Sequence, residues 1–184
     1  MNKRIVFLLF SIIVLFFSCK RDDILSCVKQ MIDSRINLNL DQMELVARDK
    51  KASNEDSRFI MVCYFDSTEC HSCATDKLYL WNNFIEKYGR NHQIDYIFIF
   101  YPSKDSYPSL RTFLRSKKEA KNIYIDTLNV FEKANPFVPH ASIYHTMLID
   151  KKDNKIKLVG DPRRNQKVED LFVKIISGRE DKVP

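Results

Sequence analysis

The sequence predicts an α/β protein with a mixed β-sheet that helices cover on both faces. Short apolar runs typical of buried strands alternate with segments whose apolar residues recur at helical spacing. Four polar residues, 151–154, separate the last two apolar runs, as expected for an antiparallel hairpin. The chain of 184 residues has only three glycines, which favours regular elements over long loops.

The amino terminus has the organisation of an export signal. The basic residues Lys3 and Arg4 precede an apolar run at 5–17, and Ser18 and Cys19 follow. This run is shorter than the roughly 20 residues that a membrane-spanning helix needs, so we exclude it from the fold. The ending resembles a bacterial lipobox, which implies that residues 1–18 are a signal peptide and that Cys19 is lipidated. An uncleaved anchor or an ordinary signal peptide is the alternative.

The export signal predicts a protein of the cell envelope. Its partner is a membrane, to which the lipid anchor holds it. The segment after Cys19, residues 20–23, lacks an aspartate directly after the cysteine, which is the usual inner-membrane retention mark in enterobacteria. It resembles the surface-export tag of some Bacteroidetes-type lipoproteins, and a solvated tether is the other interpretation. We expect the periplasmic side, and the outer surface stays open.

Composition gives one domain and excludes a nucleic-acid partner. Removal of residues 1–18 leaves 166 residues, enough for one domain with a substantial core. The formal net charge falls from +6 to +4, because Lys3 and Arg4 leave with the signal. The remaining basic residues form short, scattered pairs, which are typical of solvated loops rather than of a nucleic-acid surface.

Residues 19–57 are predicted to be a lipidated tether followed by a helix and strand extension. Asp22 or Asp23 caps a helix of about residues 24–34. Alternation at 36–40 indicates a short edge strand or an extended arm, and the polar residues 47–57 indicate an exposed loop.

From residue 58 onward strands and helices alternate, and residues 58–184 form the main predicted domain. A central strand at 58–66 leads into a helix that runs to about Tyr88 and ends at Gly89. The later predicted elements are a strand at 94–101, a helix at 107–118, a strand at 123–126, an irregular stretch at 129–142, hairpin strands at 143–150 and 155–159, and a helix over about 168–176.

The segment Cys70-His71-Ser72-Cys73 lies between the central strand and the helix that follows it. Unpaired N–H groups of a first helical turn, and the positive end of the helix dipole, stabilise a thiolate. Residues at i and i+3 share a helix face, so the second sulfur can attack a mixed disulfide formed on the first. The pair Cys70 and Cys73 therefore predicts a dithiol–disulfide site.

The two other cysteines of the predicted domain and its extension are expected to be structural. Cys63 lies in the apolar central strand, and Cys27 shares the predicted first helix with several apolar residues. A disulfide between Cys27 and Cys63 is an open alternative, because spacing alone does not test it.

The order of elements resembles the thioredoxin fold, a three-layer sandwich. The segment 146–156, Thr-Met-Leu-Ile-Asp-Lys-Lys-Asp-Asn-Lys-Ile, resembles the closing hairpin of the TlpA/redoxin-like branch, which comprises membrane-tethered extracytoplasmic thiol oxidoreductases. The resemblance covers roughly residues 58–178. It implies that Cys70 is the exposed nucleophile, Cys73 the buried resolving thiol, and that no cofactor is needed. The implied partners are protein disulfides or dithiols and, for a reductase, a transmembrane electron donor.

The chain departs from that family directly before the first thiol. Glu69 stands where the family usually has an aromatic residue. A carboxylate there disfavours the Cys70 thiolate, whereas a protonated His71 favours it. Glu69, His71 and Ser72 are therefore candidates for tuning the thiols or for contacting the substrate.

The second departure is His145, which stands where the family has a cis-proline. Cis bonds are rare without proline, so we expect a trans bond between Tyr144 and His145. Tyr144, His145 and Thr146 are the candidate substrate contacts. His145 is a surface or hydrogen-bonded histidine, a group that tunes the thiols, or a metal ligand together with Cys70 and Cys73. The leading function is thiol–disulfide exchange, and the alternative is a lipoprotein with a binding or metal-holding role and no turnover.

Overall fold

The computed structural model describes residues 23–48, 57–68, 71–88, 94–116 and 122–178, with residues 71–77 described by their backbone. Short 3₁₀ turns occur at Leu40–Gln42 and Ser142–Tyr144. The main elements in chain order are α1 (23–31), β1 (Glu44–Ala47), β2 (Phe59–Phe65), α2 (His71–Tyr88), β3 (Ile94–Phe100), α3 (Tyr107–Ser116), β4 (Asn122–Ile125), α4 (Val130–Ala134), β5 (Thr146–Asp150), β6 (Lys155–Val159) and α5 (Gln166–Ile176).

Six strands form one mixed sheet in the order β1-β4-β3-β2-β5-β6. The central strands β2, β3 and β4 are parallel to one another. The outer strand β1 runs antiparallel to β4, and β5 runs antiparallel to both β2 and β6. Crossover helices are needed to join parallel neighbours, which explains why α2 and α3 lie between β2, β3 and β4 in the chain. The predicted mixed sheet is confirmed.

Helices cover both faces of this sheet, because alternate strand residues point to opposite sides. Every residue of β2 and β3 is buried, as expected for central strands that are covered twice. One face packs against α2, α3 and α5, with a core that includes Met61, Phe98, Trp81, Leu114 and Phe172. The other face packs against α1 and α4, with a core that includes Met31, Val62, Ile99, Phe131 and Ile149. The predicted three layers are therefore present.

The amino-terminal elements differ from the prediction. Residues 36–40 form no strand, and the outer strand is β1, held to β4 by backbone pairing. Ile36 is buried, and its backbone N–H donates to the Asn154 carbonyl beside an isolated antiparallel bridge between Arg35 and Lys155. The helix ends at residue 31 rather than 34, since Asp33 has a φ of 63° that a right-handed helix does not allow.

The predicted exposed loop at 47–57 is wrong at both of its ends, and residues 49–56 lie outside the described part of the chain. Ala47 belongs to β1. Ser57 is buried and donates a hydrogen bond to Asp95 on β3, and Lys151 donates to both residues. Hydrogen bonds among these three polar residues thus join β2 to its neighbouring strands at this end of the sheet.

The carboxyl-terminal half differs in two short segments. Ser142–Tyr144 is a 3₁₀ turn, so the first hairpin strand begins at Thr146 rather than at 143. The predicted irregular stretch contains α4, because the Asp126 carboxylate accepts hydrogen bonds from the Val130 and Phe131 N–H groups and starts a helix there. Across the ranges that the structure describes, no helix is both long enough and apolar enough to span a bilayer.

Candidate active site

The chain turns sharply where β2 gives way to α2. Asp66 follows the last residue of β2, is buried, and accepts hydrogen bonds from the N–H and hydroxyl of Thr68 at 2.8 and 2.6 Å. A carboxylate that binds the backbone two residues on stabilises such a turn. The turn directs the chain toward His71, where α2 begins.

The predicted thiol pair falls at this junction. Cys73, His71 and Ser72 lie in the first turn of α2, of which the structure describes the backbone. Glu69 and Cys70 lie outside the described residues. The backbone thus places Cys73 at a helix amino terminus, the position that the thiolate argument requires, and the roles of both thiols stay predictions.

The second predicted segment lies beside this junction. β5 runs antiparallel to β2, and Thr146 is paired with Cys63 near the end of β2. The next residue on β2, Tyr64, donates its N–H to the His145 carbonyl at 2.9 Å. Tyr144, His145 and Thr146 are therefore held at the sheet end where α2 starts, and their contact with a substrate stays a prediction. The structure has no cis peptide bond in its described residues, so the bond between Tyr144 and His145 is trans.

His145 is a buried, hydrogen-bonded histidine, with 3% of its surface exposed. Its Nε2 lies 3.0 Å from the Pro139 carbonyl oxygen. A carbonyl only accepts, so Nε2 carries a proton and donates to Pro139. The imidazole packs edge-on against the Tyr64 ring, with 5.1 Å between the two ring centres. The prediction of a surface or hydrogen-bonded histidine therefore holds in its second form, and the proton on Nε2 keeps that nitrogen from binding a metal.

Two tyrosines near the site stay protonated at neutral pH. Burial, followed by the neighbouring carboxylates of Glu132 and Asp126, raises the pKa of Tyr64 well above its usual range. Burial, followed by a hydrogen bond to the Cys27 thiol, also raises the pKa of Tyr144. Both phenols are therefore neutral groups that add no charge near the start of α2.

A cavity of about 650 Å³ opens beside this junction. Its size is in the range of sites that bind small molecules or side chains. The walls come from α1, the 3₁₀ turn, the end of β6 and α5, while Phe65 and Trp81 contribute from β2 and α2. Tyr144, His145 and Thr146 line it too. The predicted contact residues thus face a cavity next to the predicted thiol helix.

Arg163 fixes one wall of the cavity, a role that no sequence pattern indicates. Its guanidinium lies 3.9 Å from the centre of the Trp81 ring. It also donates Nη2 and Nε to the Asp161 carboxylate at 2.7 and 3.0 Å. The contact with Trp81 ties the loop after β6 to α2, and the bidentate contact with Asp161, in the same loop, fixes the orientation of the guanidinium. Trp81 itself is buried in the core.

The structure excludes the disulfide alternative for the other cysteines. Neither Cys63 nor Cys27 forms a disulfide bond. Cys63 packs in the core on the α2 face of the sheet, whereas Cys27 packs against the core on the α1 face. The sheet lies between the two thiols, so no bond forms without unfolding. Among the described residues, no three metal-binding side chains cluster closely enough to hold an ion.

Sequence reasoning missed several residues at this site. Nothing in the sequence pattern singles out Tyr64 or Arg163 as part of a site, and Ile24 and Leu25 fall in the extension that precedes the predicted domain. A signal existed only for Asp66, which is an acidic residue directly after an apolar strand. The other positions depend on which elements meet in space.

No protein-family model matches this sequence, and no curated protein matches it. Solved structures do match it. One is a thioredoxin-like protein, whose solution structure is of the oxidised form, at 15% identity and a TM-score of 0.51, covering 78% of this chain and 97% of that chain. Another was assigned as the thiol:disulfide interchange protein DsbE of Chlorobium tepidum, at 13% identity and a TM-score of 0.49, covering 79% of this chain and 97% of that one. Likeness at this identity concerns architecture alone, and this chain has a thioredoxin-like α/β fold.

Proposed function

We propose that this protein is a thiol–disulfide oxidoreductase of the cell envelope, anchored to a membrane by lipid at Cys19. The observation that carries the proposal is the position of the C-x-x-C segment. His71, Ser72 and Cys73 of that segment form the first turn of α2, which follows β2 in the chain, and residues 144–146 line a cavity beside the end of β2. The thioredoxin-like fold supports the same chemistry by analogy.

The proposed reaction moves two electrons between the protein and a substrate. The Cys70 thiolate attacks one sulfur of a substrate disulfide, forms a mixed disulfide and releases the other sulfur as a thiolate. Cys73 then attacks the Cys70 sulfur, which closes a Cys70–Cys73 disulfide and releases the second substrate thiol. The protein is oxidised, the substrate is reduced, and the protein dithiol supplies the two protons. The reverse sequence oxidises a substrate dithiol.

The substrates in this proposal are disulfides or dithiols of other envelope proteins. A reductase must be recharged, which requires a membrane protein that passes electrons across the bilayer. The lipobox-like ending at residues 15–19 supports the membrane anchor, and the basic and acidic residues 20–23 leave the periplasmic side and the outer surface both open. The direction of exchange follows from the potential of the pair relative to its partners.

A binding or metal-holding lipoprotein without turnover is the second candidate. Glu69 and the trans bond before His145 favour it, because both depart from the pattern of active thioredoxin-like enzymes. The hydrogen bond from His145 Nε2 to Pro139 opposes metal binding through that nitrogen. Metal analysis of freshly purified protein separates the two candidates: equimolar zinc that is lost in both Cys70→Ser and His145→Ala supports the second.

Trapping of the mixed disulfide tests the proposed chemistry. Cys73→Ser removes the resolving thiol, so this variant should accumulate a covalent adduct with a disulfide-containing protein such as insulin. Cys70→Ser removes the nucleophile and should form no adduct. Cys27→Ser is the matched control, because this free thiol packs on the other side of the sheet and should not change adduct formation. An equal adduct yield in Cys70→Ser and Cys73→Ser would contradict the proposal.

A further inference from the structure

Four apolar side chains stand around the opening of the cavity and remain about half exposed. Ile24 and Leu25 belong to α1, Ile143 to the 3₁₀ turn and Leu171 to α5. Their exposed fractions are 42%, 51%, 54% and 52%. We call these four residues the groove mouth. Three separate elements thus bring large apolar groups to one place on the surface.

The groove mouth is a concentration of exposed apolar surface. Among the described residues, eleven large apolar side chains are exposed, and four of them line this one cavity. Single exposed apolar residues are ordinary, whereas contiguous groups mark interaction surfaces. The inward-facing residues of α1, such as Met31, already pack in the core. Ile24 and Leu25 are therefore not needed to hold α1 in place.

The chain itself limits how far this surface lies from a membrane. Cys19 is the proposed lipid site, and five residue steps separate it from Ile24. An extended chain spans at most about 3.6 Å per residue, so Ile24 lies within about 18 Å of Cys19. The groove mouth is therefore held close to the bilayer surface whenever Cys19 is lipidated.

Two exposed basic residues lie beside the groove mouth, where Asp23 is also exposed, directly before Ile24. Arg164 is exposed and lines the same cavity, and Lys167 is exposed one helical turn before Leu171 on α5. Arg163 is not available for this role, since Asp161 and Trp81 hold it. Asp170, also on α5, accepts a hydrogen bond from Gln166. Exposed basic groups near a membrane are attracted to anionic headgroups.

We propose that the groove mouth rests on the lipid bilayer, so that the cavity beside α2 faces the membrane surface. The occupant is lipid: Ile24, Leu25, Ile143 and Leu171 enter the headgroup region, and Arg164 and Lys167 contact anionic headgroups. This inference rests on the proposed lipidation of Cys19. It places the thiol helix where a membrane-embedded electron donor can reach it.

Hydrogen–deuterium exchange on the lipidated protein tests this contact. The mature lipoprotein is placed in nanodiscs of phosphatidylethanolamine and phosphatidylglycerol and compared with the Cys19→Ser variant in solution. Amides of α1 and of residues 142–145 should exchange at least about fivefold more slowly in the nanodisc, because their opening is opposed by lipid. Amides of β1, on the opposite edge of the sheet, should exchange equally in both samples.

A variant pair assigns the effect to the groove mouth. Ile143→Asp with Leu171→Asp should abolish the protection of residues 142–145, whereas Leu128→Asp, at an exposed apolar residue outside the cavity, should retain it. Equal exchange in nanodiscs and solution would overturn the proposal. Protection that appears only in native membrane vesicles, and not in nanodiscs, would identify a protein partner and overturn it as well.

Failure of the proposed function is read separately from failure of this contact. Mass measurement reports whether Cys19 carries lipid, and adduct formation by Cys73→Ser reports the thiol chemistry. If Cys19 carries no lipid, a hexahistidine segment replaces it and binds nickel-chelating lipid in the same nanodiscs. Protection of α1 and residues 142–145 is then still expected, and its absence still counts against the contact.

Discussion

Buried polar groups lie at both ends of the central strands, but the contacts that they make differ between the two ends. At the end of β2 that leads into α2, Asp66 shapes a turn and residues 144–146 face a cavity. At the other end, Ser57 meets Asp95 and Lys151. None of those three residues lines the cavity. At one end the polar groups lie beside a cavity, and at the other they join strands.

We call the Ser57 end the closed end and the end that leads into α2 the open end. The closed end is a small network of hydrogen-bonded, oppositely charged side chains. Lys151 donates its Nζ to Ser57 Oγ at 2.8 Å and to Asp95 Oδ2 at 3.2 Å, while Ser57 donates to the same Asp95 oxygen. These contacts connect the start of β2, the start of β3 and the end of β5. A serine, a lysine and an aspartate together resemble catalytic machinery by composition. Their mutual hydrogen bonds instead leave the serine oxygen bonded to an ammonium group, which makes it a poor nucleophile.

The comparison teaches that residue types alone do not locate function in this fold. Open geometry and a helix amino terminus distinguish the thiol end from the Ser57 end. The following predictions are ordered by the size of the expected effect.

The largest effect is expected on catalysis. Cys70→Ser should lower the rate of disulfide exchange by on the order of a thousandfold or more, since the nucleophile is lost. Ser57→Ala should leave the rate within about twofold of the wild type. Both rates come from reduction of insulin by the purified mature protein. A large loss of activity in Ser57→Ala would assign catalysis to the Ser57 end and contradict the prediction that Cys70 carries it.

The second effect is expected on stability, and only at the closed end. Asp95→Ala leaves Ser57 and Lys151 without their shared acceptor, and should destabilise the fold by about 1–3 kcal/mol. Urea unfolding followed by circular dichroism measures this change. Lys152→Ala is the matched control, because Lys152 is exposed on the adjacent turn. A variant as stable as the wild type would mean that the network does not hold these strands together.

His145→Ala should produce a moderate loss of stability at the open end. The substitution removes the hydrogen bond to Pro139 and the ring contact with Tyr64, with an expected cost of about 1–2 kcal/mol. Exchange activity should change by less than about threefold, because the imidazole is bound to Pro139. His145→Gln retains a donor and should recover part of the stability. Complete loss of activity in His145→Ala would instead assign the imidazole a role at the thiols.

The smallest effect is expected at β1, away from both ends, and it depends on pH. Burial opposes ionisation of Glu44, but hydrogen bonds from Tyr107 and Arg111 outweigh it and lower the pKa of the carboxyl below 4.5. A lowered pKa in the folded state stabilises the protein at pH values above the unfolded pKa. That stability is lost as the pH falls through the folded value.

Glu44→Gln should therefore be about 1 kcal/mol less stable than the wild type at pH 7. The difference should shrink as the pH falls below 4.5. Thermal unfolding at pH 7 and at pH 3 measures it. A difference that is equal at both pH values would show that the carboxylate charge at Glu44 is not involved.

Much of the fold was predictable because periodicity reports burial. The two fully buried strands, β2 and β3, and the amphipathic helix α5 follow from their apolar patterns. β1 and α4 were missed for a physical reason. β1 is only partly buried and is held by pairing with β4, and α4 is one short turn that begins because Asp126 accepts its first N–H groups. The pairing of β1 with β4 is a tertiary contact that leaves little trace in sequence.

The candidate site was predictable only in part. Residues 144–146 were found because a familiar hairpin follows them, and the structure places them beside the start of α2. The contribution of Ile24 and Leu25 was not visible, because α1 reaches the cavity from a distant part of the chain. The hydrogen bond of His145 was not predictable, because its acceptor, the Pro139 carbonyl, lies six residues away in a loop without periodicity.

The redox midpoint of the Cys70–Cys73 pair tests the central claim most directly. The mature protein with Cys27→Ser and Cys63→Ser is equilibrated in glutathione or dithiothreitol buffers, and the free thiols are counted by alkylation and mass. Our account predicts a single two-electron transition, whose position then identifies a reductant or an oxidant. No transition, or thiols that react only after a chelator is added, would contradict it.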